Sequence, residues 1–391
     1  MSKQCTPFVE RMSVLVFSPR SISHSKAGGA ERYLHEIVTR IKGKGVKLLV
    51  ISSTDRRGGH KIANYPEHIV ARKELFLPIS LVRCMKIAMQ FDLYIENVSK
   101  FPTIWPLIFS KLFSKPLLVI VHHVHSRILF KELPWPIALL LYVYEILSLK
   151  IYSLFTTLVI TVSESSRKEL IKLGFPREKI VIIPPGHFSK ESMVCSSNSK
   201  AEYPLVVYVG RVKRYKRVDE LVKAMSIIKT VIPSVRYVIA GNGDHDVYRD
   251  LKELAKKLGL DKDIEFKEAI SEEEKVRYLE RAWVYVMTSM KEGFGISALE
   301  AQACGTPVVG YRIPGLIDSV RDGETGFLVP DGDRVALAKA VLRILTDKEL
   351  REEMSRKAKL FASNYSWESS AEKFLKLVSE LAHSMLSKRV G

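Results

Sequence analysis

The chain has 391 residues, 47% hydrophobic and 27% charged, with no low-complexity tract; this excludes a largely disordered polypeptide and leaves room for two domains with separate cores. Its four cysteines, Cys5, Cys84, Cys195 and Cys304, show no CxxC or CxxH spacing, which argues against a zinc site or a disulfide framework. The net charge of +18 is uneven: residues 1–200 carry 29 Lys and Arg against 14 Asp and Glu, and residues 201–391 carry 32 against 29. A basic first half suits nucleic acid, an anionic membrane or a phosphorylated substrate, and charge alone does not choose among them.

In chain order, the first dozen residues hold no long apolar run, so no signal peptide and a cytoplasmic location are expected. Residues 13–18 (SVLVFS) and 47–52 (KLLVIS) read as strands around a helical pattern at 30–41, a βαβ unit. Gly28 and Gly29 sit at the turn between that first strand and helix, where a phosphate can approach the backbone closely. Strands are expected again at 93–95, 117–121, 158–162 and 180–183, spaced for crossover helices in an open parallel sheet. Three histidines follow the strand at 117–121. His122, first past its carboxyl end, is the candidate ligand contact, because ligand groups collect at that edge in open α/β sheets. No carboxylate joins them at metal-ligand spacing, so no metal is expected. The segment 134–162 is very apolar but interrupted by Glu145 and Lys150. A spanning helix is therefore not expected, and two readings stand: a buried helix followed by a buried strand, or a helix whose exposed side meets a bilayer surface.

The polar stretch 187–204 reads as an interdomain linker. Beyond it a second series of strands is expected at 205–209, 236–240, 264–267, 284–288, 306–309 and 326–328, then helices near 335–345, 347–362 and 367–386. The predicted division is 1–190, a linker at 191–203, 204–366, and a C-terminal helix at 367–391 placed back across the linker on the first domain. Just past the strand at 205–209, Arg211 and Lys216 offer a planar fork and a compact charge that together suit a diphosphate, with Lys213, Arg214 and Arg217 beside them. Such charge also stabilises a nucleoside diphosphate as it leaves. Glu292 and Glu300 flank a Gly293-Phe294-Gly295 turn that opens a helix; the turn's backbone N–H groups suit an anion, and the two acids suit sugar hydroxyls.

Glu292-x7-Glu300, Arg211 with Lys216, Gly28–Gly29, the IPPG bend at 183–186 and the AGNGD turn at 240–244 together resemble the family 4 glycosyltransferases, in order and spacing, from about residue 12 to 367. The resemblance implies a GT-B fold, with two Rossmann-like doubly wound parallel-sheet domains facing a cleft that completes the site as it shuts. It implies retention of anomeric configuration, no cofactor and no metal, and a UDP- or GDP-hexose co-substrate. In that likeness Arg211 and Lys216 hold the diphosphate, Glu300 the ribose and Glu292 the hexose hydroxyls. Gly28–Gly29 close over the phosphates, and His122 approaches the sugar near the reaction centre. The loop at 18–27 is the candidate reader of the acceptor.

The basic first half and the apolar 134–162 segment point to an acceptor that is a lipid-linked glycan, with the protein peripheral on the inner face of the cell membrane. The alternatives are a soluble sugar or protein acceptor, a sugar-nucleotide 2-epimerase of the same architecture, and a nucleic-acid-binding protein. The last explains the charge but lacks any binding module, so no nucleic-acid partner is expected.

Overall fold

The computed structural model describes residues 12–55, 63–71, 84–98, 102–125, 128–188 and 200–390, the last nine of these by backbone alone. Cys5, Cys195 and most of the expected linker lie outside the described residues. The chain divides into two compact units. One comprises Met1–Ser126, Pro136–Pro185 and Trp367–Gly391; the other comprises Arg127–Trp135 and Gly186–Ser366.

The first unit is built on a seven-stranded parallel sheet: β1 (Met12–Phe17), β2 (Val46–Ser53), β3 (Glu67–Ala71), β4 (Leu93–Val98), β5 (Leu117–Val121), β6 (Leu158–Thr161) and β7 (Ile180–Ile182). Their spatial order is 3-2-1-4-5-6-7. β5 reads LLVIV and is buried at all five positions, as a parallel strand covered on both faces must be. The covering helices are α1 (Gly29–Ile41), α2 (Trp105–Leu112), α3 (Trp135–Phe155) and α4 (Glu164–Lys172). Ser163 caps α4, its side chain accepting from the Ser166 N–H.

The second unit carries a six-stranded parallel sheet: β8 (Leu205–Val209), β9 (Arg236–Ala240), β10 (Ile264–Lys267), β11 (Val284–Met287), β12 (Val308–Tyr311) and β13 (Gly326–Val329). Its order, 10-9-8-11-12-13, repeats the plan of the first sheet. Around it lie α5 (Val218–Val231), α6 (His245–Lys257), α7 (Glu272–Arg281), α8 (Ile296–Ala303), α9 (Arg334–Thr346) and α10 (Lys348–Ala362). In both sheets the strand order reverses beside the first strand, between β1 and β4 and between β8 and β11. At such a switch point the loops leaving the carboxyl ends diverge and open a crevice for a ligand.

The passage from one unit to the next falls at Pro185–Gly186, a few residues before the expected 190, because Phe188 is buried in the core of the second unit. The last helix, α11 (Trp367–Val390), belongs to the first unit. Its Trp367 is fully buried edge-on to Tyr33 of α1 at 5.8 Å, Glu368 pairs with Arg40, and the Ser370 hydroxyl donates to the Pro184 carbonyl at 2.6 Å.

Helix α3 does not match the buried-helix reading of the 134–162 segment. Among its large apolar side chains Leu140, Leu147 and Leu154 are 69%, 56% and 70% exposed, whereas Glu145, Ser148, Tyr152 and Ser153 are buried. Glu145 accepts from the His125 N–H past β5 and Tyr152 donates to Glu96 of β4, while the Ser148 and Ser153 hydroxyls donate to carbonyls of the helix itself.

Candidate functional site

In the second unit the loops leaving β8 and β11 are bound to each other. The Met290 N–H donates to the Tyr215 carbonyl at 2.9 Å, and the Thr288 hydroxyl donates to the Lys216 carbonyl at 2.9 Å. Arg217 has a left-handed backbone (φ 47°), and its guanidinium donates to the carbonyls of Thr288 (2.9 Å) and Ser289 (3.0 Å). It also pairs with Asp331. This arginine is a staple between the loops.

The other cations of the run divide the same way. Lys213 pairs with Asp244, and Arg214 with Asp246 and Asp250. Arg211 donates to the Tyr215 hydroxyl at 3.3 Å, and the Tyr208 hydroxyl donates to the Arg211 carbonyl at 2.8 Å, which fixes the turn from below. Lys216 lies inside the switch point, its ammonium 2.5 Å from the Glu292 carboxylate, with both side chains 13% exposed. Burial lowers the Lys216 pKa, but Glu292 and Tyr215 outweigh it, so the group sits above the ordinary lysine range and keeps its charge.

Glu292 owes its position to the Pro314–Gly315 turn, which is not among the expected site residues. Its N–H donates to the Pro314 carbonyl at 3.2 Å, and Gly315 (φ +83°) packs so closely that a Cβ there would lie 2.2 Å from the Glu292 carbonyl oxygen. Gly295, also left-handed at φ +87°, is the N-cap of α8, and Phe294 is buried against Tyr365 at 5.3 Å. Glu300 lies one turn into α8, buried, and accepts from the Lys275 ammonium of α7 at 2.9 Å. Tyr285 of β11 donates to the Val209 carbonyl and meets the Ser297 hydroxyl, both at 2.9 Å, so β8, β11 and α8 are tied at one point. In the sequence Tyr208 and Tyr285 look like any core tyrosines; only Gly315, between Pro314 and a helix, carries a visible turn signal.

In the first unit, Gly28 is the N-cap of α1 and Gly29 its first residue. The Gly28 N–H donates to the Glu31 carboxylate at 2.7 Å, and Glu31 pairs with Arg20 at 3.1 Å. His122 is buried past the end of β5. Its Nε2 lies 2.8 Å from Asn97 Oδ1, and Asn97 Nδ2 donates in turn to the Ser18 hydroxyl at 3.2 Å. This chain of bonds joins the carboxyl ends of β5, β4 and β1. Since Asn97 Oδ1 only accepts, the His122 proton sits on Nε2. Burial pushes the His122 pKa down to about 4 despite the nearby Glu31, so the ring is neutral near pH 7. His125 is instead bound to Glu145 of α3, at 3.1 Å through Nδ1.

The predicted residues thus form two sets. Arg211, Lys216, Glu292, Gly293, Phe294, Gly295 and Glu300 gather at the switch point of the second sheet. Gly28, Gly29 and His122 lie at the corresponding edge of the first.

Solved structures with the same architecture over nearly the whole chain include Anabaena HepE in complex with UDP and glucose, at a TM-score of 0.74 and 20% identity, covering 95% of this chain and all of that one. A glycosyltransferase from Rickettsia africae gives a TM-score of 0.75 at 18% identity, covering 94% and 98%. These likenesses define the class of fold, a GT-B arrangement of two parallel-sheet α/β domains. The model of "Glycosyltransferase Family 4" matches residues 27–187 and that of "Glycosyl transferases group 1" matches 189–361, leaving a single residue between them. The chain belongs to the family 4 glycosyltransferases. Among curated relatives, the D-inositol 3-phosphate glycosyltransferase of Thermobifida fusca is 35% identical over 186 residues, 46% of this chain and 43% of that protein. The one from Nocardia farcinica is 30% identical over 246 residues, 60% and 54%. The chain spans about half the length of the curated relatives it matches.

Proposed function

We propose that the protein is a retaining hexosyltransferase that moves a sugar from a nucleoside diphosphate donor to an acceptor. The observation that carries this reading is the Lys216–Glu292 pair, beside Arg211, at the switch point of the second sheet. A charged lysine held by a carboxylate in a crevice is ready to exchange that partner for a phosphate. When the diphosphate enters, Lys216 and Arg211 neutralise the charge that grows on it as the glycosidic bond breaks. Glu292, released from the lysine, then accepts from hexose hydroxyls, and Glu300 from the ribose. Gly28, Gly29 and His122 keep the roles the family resemblance gives them. A neutral His122 suits hydrogen bonding to a sugar better than proton donation. No metal or protein nucleophile enters this scheme, in which the leaving phosphate assists attack from the front face.

For the acceptor, a lipid-linked glycan at an anionic membrane is the first reading, supported by the basic first half of the chain and the apolar surface of α3. A soluble acceptor is the second, favoured by the curated relatives named for D-inositol 3-phosphate.

The deciding experiment is a thermal-shift panel of UDP, GDP and ADP with their glucose, mannose and N-acetylglucosamine conjugates, since a ligand bound only by the folded state raises its stability. A selective shift identifies the donor. No shift with any of them overturns the transferase reading.

A further inference from the structure

Helix α3 reverses the usual arrangement of an amphipathic helix. Leu140, Val143, Leu147, Ile151 and Leu154 recur every three or four residues as one outward stripe, each between 44% and 70% exposed. The inward side holds Ala138 and Leu149 together with a polar set that is hydrogen-bonded. Glu145 accepts from the His125 N–H at 2.7 Å, Tyr152 donates to the buried Glu96, and the neighbouring Tyr144 donates to the Pro102 carbonyl at 2.6 Å. The apolar surface continues onto α2, whose Ile108 and Leu112 are 42% and 60% exposed; there the Lys111 ammonium lies 4.3 Å above the ring of Phe155 at the end of α3.

We infer that this stripe, with the adjoining end of α2, is a docking face for an anionic lipid bilayer, and that α3 lies in the plane of the interface without crossing it. The inference deepens the membrane-acceptor reading above and rests on it. Three observations select a bilayer. First, every exposed charge on the two helices is positive: Lys111 and Lys150 face solvent, while Glu145, the only carboxylate in either, is buried. Second, the exposed apolar residues of α3 are Leu, Ile and Val along its length with Trp135 and Phe155 at its two ends, the Trp, Phe and Leu composition of helices that lie at a bilayer interface. Third, an exposed apolar strip along a whole helix, rimmed by lysines, is the form taken by helices that bury one face at the boundary of head groups and acyl chains.

By length and composition alone α3 is able to cross a bilayer. The inward polar set excludes that. Crossing strips Glu145 and Tyr152 of their partners and sets them in hydrocarbon, where unsatisfied polar groups cost several kcal/mol each. The same bonds make α3 one body with the loops that follow β4 and β5. A bilayer held at the outer stripe is therefore held at a fixed distance from the edge of the sheet where His122 stands.

The test is flotation of the full chain with vesicles of phosphatidylglycerol and phosphatidylcholine, against phosphatidylcholine alone. The wild type should float with the anionic vesicles and keep part of its binding at high salt, where the charge contribution is screened and the apolar one is not. Leu140→Glu with Leu147→Glu should lower the bound fraction by about tenfold or more. Leu360→Glu, which alters a leucine 72% exposed on α10 of the other unit, should leave binding unchanged. If the double variant fails to fold, Leu154→Glu alone replaces it. Alkaline carbonate should release the bound wild type, and retention overturns the in-plane geometry. Flotation of the double variant equal to wild type, or no flotation of the wild type, overturns the docking face. Conversion of a wild-type dimer to a monomer by the double variant, without vesicle binding, assigns the face to a second copy. The nucleotide thermal shift of the same preparations separates the two readings. Flotation with no shift sinks the donor site and spares the docking face; a shift with no flotation does the reverse.

Discussion

Lys216 and Glu292 neutralise each other in a confined crevice, so the two do not respond alike to substitution. On the proposed function, Lys216→Ala removes a charged contact to phosphate worth ~1.5–3 kcal/mol, roughly a tenfold to 150-fold weakening of nucleoside diphosphate binding by calorimetry. Glu292→Ala leaves the lysine without its counter-charge; diphosphate binding should hold or tighten while turnover is lost. Equal losses of binding in both variants would remove the exchange of partners from the mechanism. His122 gives a pH signature. Its pKa is about 4 in the folded chain against an ordinary 6.5. The folded-state value is depressed, so its contribution to stability is present above pH 6.5 and is lost as the pH falls toward 4, by up to about 3 kcal/mol. Urea midpoints of wild type and His122→Asn, compared across that window, should converge as the pH falls, because the wild type loses this contribution and the variant has none to lose. The chemical types of these residues are legible in the sequence because charge beside glycine, just past a strand, has few structural uses. The sequence does not separate Arg217 from its neighbours, since its role depends on a left-handed backbone and on carbonyls some seventy positions away.

Among elements, the buried strands are the most legible. β5 and β8 begin and end where their apolar runs do, and β9 and β10 keep the bounds expected for them although β9 opens on Arg236 and β10 carries Glu265 and Lys267. β3 escapes notice because its sequence, EHIVA, has two polar residues at its start and only Ala71 fully buried. β12 begins two residues later than the run Thr-Pro-Val-Val suggests, because the Thr306 hydroxyl is engaged with the Leu279 carbonyl, leaving Val308 as the first residue in register with β13. The loop after β12 is opaque for a different reason: Gly315 matters through what it touches. Gly315→Ala places a methyl group against the Glu292 carbonyl at a positive φ, which costs at least about 1 kcal/mol. The expected result is a modest fall in melting temperature with a disproportionate fall in kcat, since Glu292 moves while the core of the unit stays. A variant with wild-type turnover would show that the loop tolerates the shift. Gly241 has the same character: a Cβ there would lie 2.2 Å from the Gly210 carbonyl oxygen, at the turn that precedes Arg211.

At the scale of the molecule, two sheets of one strand order place two sets of polar residues at equivalent edges, and this much follows from alternating strand and helix patterns. The membership of the units breaks sequence order in the place expected for 367–391: α11 comes after the whole of the second unit yet covers α1 in the first. Ending the chain at Ser366 removes Trp367 from its place against Tyr33 and should destabilise the first unit by at least the ~3–5 kcal/mol typical of a deleted core aromatic, with limited proteolysis appearing there before it appears in the second unit. Intact resistance in both units would mean that α11 is dispensable. The same feature orders events during synthesis. The stretch Gly186–Ser366 is contiguous and free to fold as soon as it emerges, whereas the strands made before it wait for a helix encoded after it. The unit translated first is thus completed last. Until α11 arrives, Tyr33 and its surroundings on α1 present an uncovered apolar surface, and the nascent chain is most open to misassociation and to chaperones while its second half is being made.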